Sequence, residues 1–234
     1  MDRQVDPRRP RVKELSRGLP TGASSRRFVW ALLLALSLLA GCELLPGPET
    51  AQPPPANSLA VSFIDVGQGD ATLIQSGGKS YLVDGGKSEA GPEVVDFLRS
   101  RGVESLDGLV ATHPDADHVG GLPDVLDAFD VATVYLSGDT KGTSTFNTFL
   151  RGVRDEGSRV VQARDGMRMA WGETTVDVIA PPPDHLFGES NDNSVATLLT
   201  FGTARILLAG DAEKEEEEYM SNGSHTGPLT VIKV

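Results

Sequence analysis

Two histidines and two aspartates lie within six consecutive residues of this sequence, directly after an apolar run. They occur in the segment Ala111-Thr-His-Pro-Asp-Ala-Asp-His118. Imidazole nitrogens and carboxylate oxygens together are typical ligands of divalent metal ions. Two such ions, about 3.5–4 Å apart, hold a phosphate or carbonyl group and activate water for hydrolysis. The spacing therefore predicts a hydrolytic metal centre. The alternative is a solvated acidic loop.

A buried strand is predicted directly before this cluster, at 108–112. In an extended exit from the strand, residues i and i+2 share a face, so His113 and Asp115 can bind one ion. The following turn would bring Asp117 and His118 to a second ion.

Three further loops place acidic residues beside glycines at the ends of predicted strands. Each is weak alone, because Asp-Gly is common in turns. Together with the histidine cluster, they favour convergence on one site. The residues concerned are Asp65, Gln68 and Asp70 in one loop, Asp84 in the second and Asp211 in the third.

Strands and helices alternate from residue 59 onward, in two strand-rich halves with outer helices. This order predicts an α/β sandwich of helix, sheet, sheet and helix layers. The predicted strands are 60–64, 71–75, 80–83, 108–112, 132–136, 158–163, 167–170, 174–180, 195–201, 204–209 and 229–234, and the predicted helices are 92–101, 122–129, 144–155 and one from 212.

Residues 26–42 resemble a bacterial lipoprotein signal peptide. Two arginines precede 13 apolar residues, 28–40, which is shorter than the roughly 17–25 residues of a spanning helix. The sequence Leu39-Ala-Gly-Cys42 follows and resembles a lipobox. We therefore expect a lipid anchor on Cys42 and a domain outside the cytoplasmic membrane, held to the cell envelope. The alternative is a short uncleaved anchor.

The segments around this signal are polar. Residues 1–25 are a basic lead, either disordered or upstream of the true translation start, and 43–58 form a proline-rich linker. The folded domain is then 59–234. No apolar run after residue 40 approaches membrane length, so we expect no transport channel.

The predicted mature chain is strongly acidic. The sequence contains 21 Lys and Arg and 33 Asp and Glu. Residues 1–41 contain eight of the basic and three of the acidic residues. Residues 42–234 therefore keep 13 basic and 30 acidic residues, a net charge of −17. Such a field repels nucleic acid at long range. Any chemistry on nucleic acid would depend on metal ions and a few local cations. We expect the run Glu215-Glu-Glu-Glu218 to be a solvated helix face.

Five motifs of the sequence occur in a recognisable order. They are Phe63–Ala71, Tyr81–Gly86, Thr112–Gly121, Asn191–Ser194 and Leu208–Ala212. In this order they resemble the metallo-β-lactamase superfamily and, within it, the ComEC-type competence domains and their stand-alone relatives. The resemblance covers about 59–234. It implies an αββα fold, two metal ions and hydrolysis, often of phosphodiesters.

The resemblance also implies ligands. His113 and Asp115 would hold the first metal, Asp117 and His118 the second, and Asp211 would bridge them. Asp117 would also orient the attacking water or accept its proton. Because Asp115 stands where most of the superfamily has a histidine, Mn²⁺ competes better with Zn²⁺, and Mg²⁺ is a further alternative.

Other residues are implied to support the site. Asp84 would brace the metal loop from behind the ligands. Asn193 and Ser194 would lie near the substrate. The loop with Asp65, Gln68 and Asp70 would line the site.

The sequence departs from the superfamily at two motifs. The usual third-motif histidine is absent, and His185 and His225 lie in turn-rich segments that predict solvated loops. The last motif of the family, His-His-Gly-Ser, would follow a strand like 229–234. We therefore expect the sequence to be a fragment that ends before a ligand of the second metal.

The favoured function is metal-dependent hydrolysis of phosphodiesters, in DNA or nucleotides. One alternative is hydrolysis of an ester, lactone or thioester at the same metals, because the fold hosts many substrates. Another is an inactive envelope lipoprotein with a binding role. The sequence indicates no protein partner.

Overall fold

The computed structural model describes residues 53–223, 225 and 227–234. The basic lead, the signal peptide with Cys42 and the first part of the predicted linker lie outside the described residues. In this described part, no helix is both long enough and apolar enough to cross a bilayer.

A first sheet contains six strands in the described residues. They are β1 (Leu59–Phe63), β2 (Thr72–Ser76), β3 (Lys79–Val83), β5 (Gly108–Ala111), β7 (Thr133–Leu136) and β8 (Arg159–Gln162), with the short parallel pair β4 (Ser105–Leu106) and β6 (Asp130–Val131) beside it. The order is β1-β2-β3-β5-β7-β8. Strands β1 to β3 are antiparallel, and β3, β5, β7 and β8 are parallel.

A second sheet contains five described strands. They are β9 (Arg168–Trp171), β10 (Thr174–Ala180), β11 (Ala196–Phe201), β12 (Ala204–Leu208) and β13 (Val231–Lys233), in the order β13-β12-β11-β10-β9. Strands β9 to β12 are antiparallel, and β13 runs parallel to β12.

Five α-helices connect the described strands. They are α1 (Gly91–Ser100), α2 (Ala116–Val119), α3 (Leu122–Ala128), α4 (Ser144–Glu156) and α5 (Lys214–Asn222). Helix α4 has an ordinary cap at each end. Thr143 accepts a hydrogen bond from the Phe146 N–H at the start of α4, and Gly157, at φ 80°, ends it.

Alternating side chains of the strands divide the apolar core into three layers. Leu73 and Leu109 pack against the helices α1 to α4, while Ile74 and Val110 face the second sheet. The outer face of the second sheet, including Leu198, packs under α5. The layers are therefore helices, sheet, sheet and helix, and the predicted αββα sandwich is confirmed.

Helix α5 departs from the expected solvated acidic face. Its Glu216 is fully buried, so the prediction for this run is wrong at that residue. The Oε2 atom accepts a hydrogen bond from the Ser194 N–H, at 3.2 Å. Burial raises the pKa of Glu216 to about 9, and the Ser194 hydrogen bond only partly opposes this. The carboxyl is therefore protonated in the folded protein at neutral pH.

We expect Glu216→Gln to stabilise the fold increasingly as pH rises. The folded protein keeps a proton on Glu216 that the unfolded chain loses above pH 4.5, so wild-type stability falls from there towards pH 9. A neutral amide removes this loss. Thermal unfolding at pH 5 and pH 8.5 should show the advantage of the variant growing by at least about 1 kcal/mol, or roughly 2–4 °C in Tm. The exposed neighbour Glu215, changed to Gln, is the control. A pH-independent difference for Glu216→Gln would contradict the prediction.

Candidate metal centre

The candidate site lies where the carboxyl ends of neighbouring strands meet. Asp84 directly follows β3, and Thr112 and His113 follow the adjacent parallel strand β5. The second sheet contributes Asp211, after β12. A hydrogen bond from the Val195 N–H to the Thr112 carbonyl, at 2.9 Å, joins the two sheets at this point.

Three donor residues converge here. His113, His118 and Asp211 offer ligand atoms that all lie within 4.8 Å of one another. Both histidines are buried; His113 Nε2 has no hydrogen-bond partner among the described residues, and His118 Nε2 faces the Asp211 carboxylate, at 3.2 Å. A buried polar atom without a partner is costly. A divalent cation bound at these nitrogens and the carboxylate removes that cost, so the donor set fits a metal ion.

Asp84 fixes the orientation of both histidines. Its Oδ1 accepts from the Thr112 N–H, at 2.9 Å, and its Oδ2 accepts from the Thr112 hydroxyl, at 2.7 Å, and from His118 Nδ1, at 2.9 Å. Because the Thr112 hydroxyl gives its only hydrogen to Asp84, its oxygen accepts from His113 Nδ1, at 3.0 Å. Both rings therefore direct Nε2 to the centre.

The backbone at Asp84 is unusual. Its φ is +58°, a left-handed conformation that Asp and Asn tolerate better than most residues. This turn lets the Gly85 N–H donate to the His118 carbonyl, at 2.8 Å. A Cβ at Gly85 would overlap the Leu122 side chain, so the turn packs closely against the start of α3.

The charges at the centre favour a cation. Burial lowers the pKa of His118, but the neighbouring carboxylates of Asp211 and Asp84 outweigh burial and raise it to about 10. His118 Nε2 lies 3.2 Å from Asp211 Oδ1, and this contact lowers the pKa of Asp211. Burial, and then His118, lower the pKa of His113. A metal at His118 Nε2 would take the place of a proton that the two carboxylates already stabilise.

The structure groups the donors differently from the predicted pairs His113 with Asp115 and Asp117 with His118. Asp115 occupies the N-cap position of α2 without a side-chain cap hydrogen bond, and its Oδ1 pairs with Lys141 Nζ, at 2.6 Å. Asp117 lies in the first turn of α2. Because the helix starts between the two aspartates, neither carboxylate joins the converging group in the described residues. Their roles as ligands stay predictions.

The loop 65–70 lies against α2. Gln68 Nε2 donates to Asp117 Oδ2, at 3.1 Å, and Asp70 pairs with Lys233. A Cβ at Gly69, where φ is 103°, would overlap the Asp117 carbonyl oxygen, so only glycine allows this approach. Asp65 is exposed and accepts from the Gly67 N–H. The structure therefore places Gln68 at the rim and Asp65 towards solvent, whereas Asp70 forms a second group with Asp84 and His118, whose ligand atoms lie within 4.8 Å of one another.

Asn193 and Ser194 have different surroundings. The Asn193 amide is used within its own loop, where its Oδ1 accepts from the Phe187 N–H and its Nδ2 donates to the Phe187 and Glu189 carbonyls. It therefore shapes the loop rather than facing a substrate. Ser194 Oγ lies 3.4 Å from His113 Nδ1, beside the candidate ligand.

The remaining two histidines lie outside the group. His185 is exposed and pairs with Asp184, as expected of a surface loop. His225 lies 3.3 Å from Asp165 and is partly buried, which departs from the expected solvated loop.

Sequence reasoning missed the residues that connect the site. Thr112 carried a usable signal, because it directly precedes the first histidine at the end of β5. The lysines at positions 87, 141 and 233 carried none, since each is a single residue in a separate segment and their contacts come from the tertiary fold.

Comparisons with known proteins give one family match. The family described as the metallo-beta-lactamase superfamily matches residues 64–232. ComE operon protein 3 of Bacillus subtilis (strain 168) is 27% identical over 193 residues, 74% of this chain and 25% of that protein. Competence protein ComA of Neisseria gonorrhoeae is 29% identical over 212 residues, 90% of this chain and 26% of that protein. The chain thus spans about a quarter of the length of these relatives.

Solved structures are similar at a lower level. Rm3 metallo-beta-lactamase aligns with a TM-score of 0.45 at 16% identity, over 72% of this chain and 65% of that chain.

We expect Asp84→Asn to weaken metal binding by about 10- to 100-fold, because an amide cannot accept all three hydrogen bonds that set the histidine rings. Asparagine tolerates the left-handed backbone, so the fold should survive. Calorimetric titration with Mn²⁺ and Zn²⁺ measures the affinity, and circular dichroism checks the fold. Asp65→Asn, which removes an exposed charge from a nearby loop, is the control. Equal metal affinity in Asp84→Asn and wild type would show that Asp84 does not hold the ligands.

Proposed function

Because the chain belongs to the metallo-beta-lactamase superfamily, we propose that it is a metal-dependent hydrolase of phosphodiester bonds, in DNA or nucleotides. The resemblance drawn from the sequence motifs to this superfamily and its competence proteins is confirmed. The observation that supports hydrolysis most directly is the pair of buried Nε2 atoms beside Asp211. A metal site of nitrogen and carboxylate ligands on this fold suits hydrolysis.

The proposed roles follow from the contacts. His113, His118 and Asp211 would hold the metal, with Asp84 orienting the rings. A bound divalent ion acts as a Lewis acid towards a phosphoryl group and makes water more acidic. Asp117, held at Oδ2 by Gln68, would accept the proton from the attacking water.

Two ions remain part of the proposal. An arrangement with Asp211 close to both Nε2 atoms is compatible with one ion on all three residues. It is equally compatible with two ions bridged by Asp211, each bound to one histidine. Metal analysis of the purified protein after loading with Zn²⁺ or Mn²⁺ distinguishes one ion per chain from two.

The substrate class is supported by two considerations of unequal weight. The relatives named as competence proteins favour a nucleic acid or nucleotide substrate. The acidic charge of the chain counts against long DNA, because it repels the polyanion. A short phosphodiester that reaches the metal site directly satisfies both.

We expect the metal-loaded protein to hydrolyse bis(p-nitrophenyl) phosphate and not a simple lactone. Parallel rate measurements on the two substrates, with and without EDTA, check this. Cleavage of the lactone alone would instead favour the ester, lactone or thioester function. A protein that holds less than one metal per chain and cleaves neither substrate would favour the inactive binding lipoprotein.

Asp117→Asn should lower kcat for the diester by about 10²- to 10⁴-fold, because the general base is lost. Circular dichroism should stay as in the wild type, and the metal content of the variant separates loss of a base, which leaves it unchanged, from loss of a ligand, which lowers it. Asp127, an exposed aspartate on α3, provides the matched control as Asp127→Asn. A kcat within twofold of wild type for Asp117→Asn would refute the role of Asp117.

We also propose that Cys42 carries a lipid anchor and that the domain lies outside the cytoplasmic membrane. The support is the motif Leu39-Ala-Gly-Cys42 directly after the apolar run. Cells that express the protein should incorporate labelled palmitate into it, and Cys42→Ala should abolish incorporation and release the protein from membranes. Incorporation that persists in Cys42→Ala would exclude this anchor.

A further inference from the structure

Three lysines gather around the candidate metal centre of this acidic chain. The described residues contain five lysines, at positions 79, 87, 141, 214 and 233. Lys87, Lys141 and Lys233 each contact an acid or amide of the site loops, whereas Lys79 and Lys214 pair elsewhere. In a chain with so few lysines, this placement concentrates ammonium groups where a substrate would bind.

Lys141 approaches the site from one loop. Its Nζ lies 2.6 Å from Asp115 Oδ1, and its side chain remains 43% exposed. The loop is tied across the site by Asp139, whose Oδ2 accepts a hydrogen bond from Ser190 Oγ, at 2.8 Å. The ammonium group is therefore held at the rim and still reaches solvent.

Lys87 approaches from another loop. Its Nζ donates to Gln68 Oε1, at 2.7 Å, and the same amide donates to Asp117 Oδ2, at 3.1 Å. The two ammonium groups thus lie beside Asp115 and beside the Gln68–Asp117 pair. Lys233 pairs with the less exposed Asp70, so it is less available to a substrate.

The electrostatics of this rim change when a metal is bound. A divalent cation held by His113, His118 and Asp211 would add positive charge inside the rim that Lys141 and Lys87 occupy. An anion drawn to that charge meets the two ammonium groups, and a lysine is a strongly hydrated point charge that suits phosphate. A neutral lactone or ester offers no such counter-charge.

We propose that Lys141 and Lys87 form an anion subsite that binds the phosphate group of the substrate and selects phosphate esters over neutral esters. The proposal rests on the proposed function, since it assigns specificity at the same site. It also accounts for how a chain of net charge −12 can bind an anion. Salt screens the repulsion between a substrate anion and distant acidic residues, whereas the two lysines would contact the anion directly.

The test measures binding of inorganic phosphate to the metal-loaded protein by calorimetry. Lys141→Gln should weaken phosphate binding by about 10- to 100-fold, because it removes a charge-assisted hydrogen bond. Lys141→Arg should stay within a few-fold of wild type, because it keeps the charge. Lys87→Gln should weaken binding in the same direction. Metal stoichiometry, measured on each variant, shows that the site is intact.

The matched control is Lys79→Gln. Lys79 is also paired with an aspartate, Asp107, at 2.8 Å, but is the first residue of β3. The control removes the same charge from the whole chain, so its phosphate affinity should equal that of wild type. An equal loss in Lys79→Gln and Lys141→Gln would overturn the subsite, because net charge alone would then explain it.

The outcomes separate this inference from the proposed function. Phosphate affinity unchanged in both Lys141→Gln and Lys87→Gln overturns the subsite, even if the wild type cleaves the diester. Wild-type protein that binds no phosphate also overturns it. Phosphate binding that depends on Lys141, in a protein that does not cleave the diester, supports the subsite and refutes the proposed function. An increased KM for the diester in Lys141→Gln supports both.

Discussion

The site depends on a single buried carboxylate. Asp84 accepts hydrogen bonds from the backbone and hydroxyl of Thr112 and from His118, so one side chain joins β3, β5 and α2. A carboxylate with no exposure is tolerated only when its oxygens are satisfied in this way. The left-handed backbone at Asp84 is the conformation that places the carboxylate between these partners. Both candidate ligand histidines take their orientation from it, one directly and one through Thr112.

Charge is distributed unevenly around that carboxylate. Acidic side chains lie at the centre, and three of the five lysines in the described residues lie around its rim. The chain as a whole is acidic. An acidic exterior keeps a protein soluble and discourages unspecific binding to nucleic acid. The arrangement confines attraction for anions to the few ångströms around the site.

Much of the fold followed from the sequence. Strands and helices alternate along the chain in two strand-rich halves, and this order predicted the two sheets and the outer helices. The candidate ligands also stood out, because His113 and His118 cluster with aspartates directly after a strand and Asp211 lies at a strand end beside a glycine. The directions of Asp115 and Asp117 did not follow, since they depend on the residue at which α2 begins. The burial of Glu216 was invisible as well, because the acidic run of α5 gives no sign that the loop containing Ser194 covers one of its faces.

The hydrogen bond between Val195 and Thr112, which joins the two sheets, bears on the order of folding. The first sheet supplies the histidines and the second supplies Asp211, almost a hundred residues later in the chain. Contacts between such distant residues require closure of a long loop, so they form late. The donor triad is therefore completed only when the sheets dock. A bound ion would stabilise the docked state, because its ligands come from both sheets. It would slow the separation of the two sheets more than the local unfolding of any single helix end.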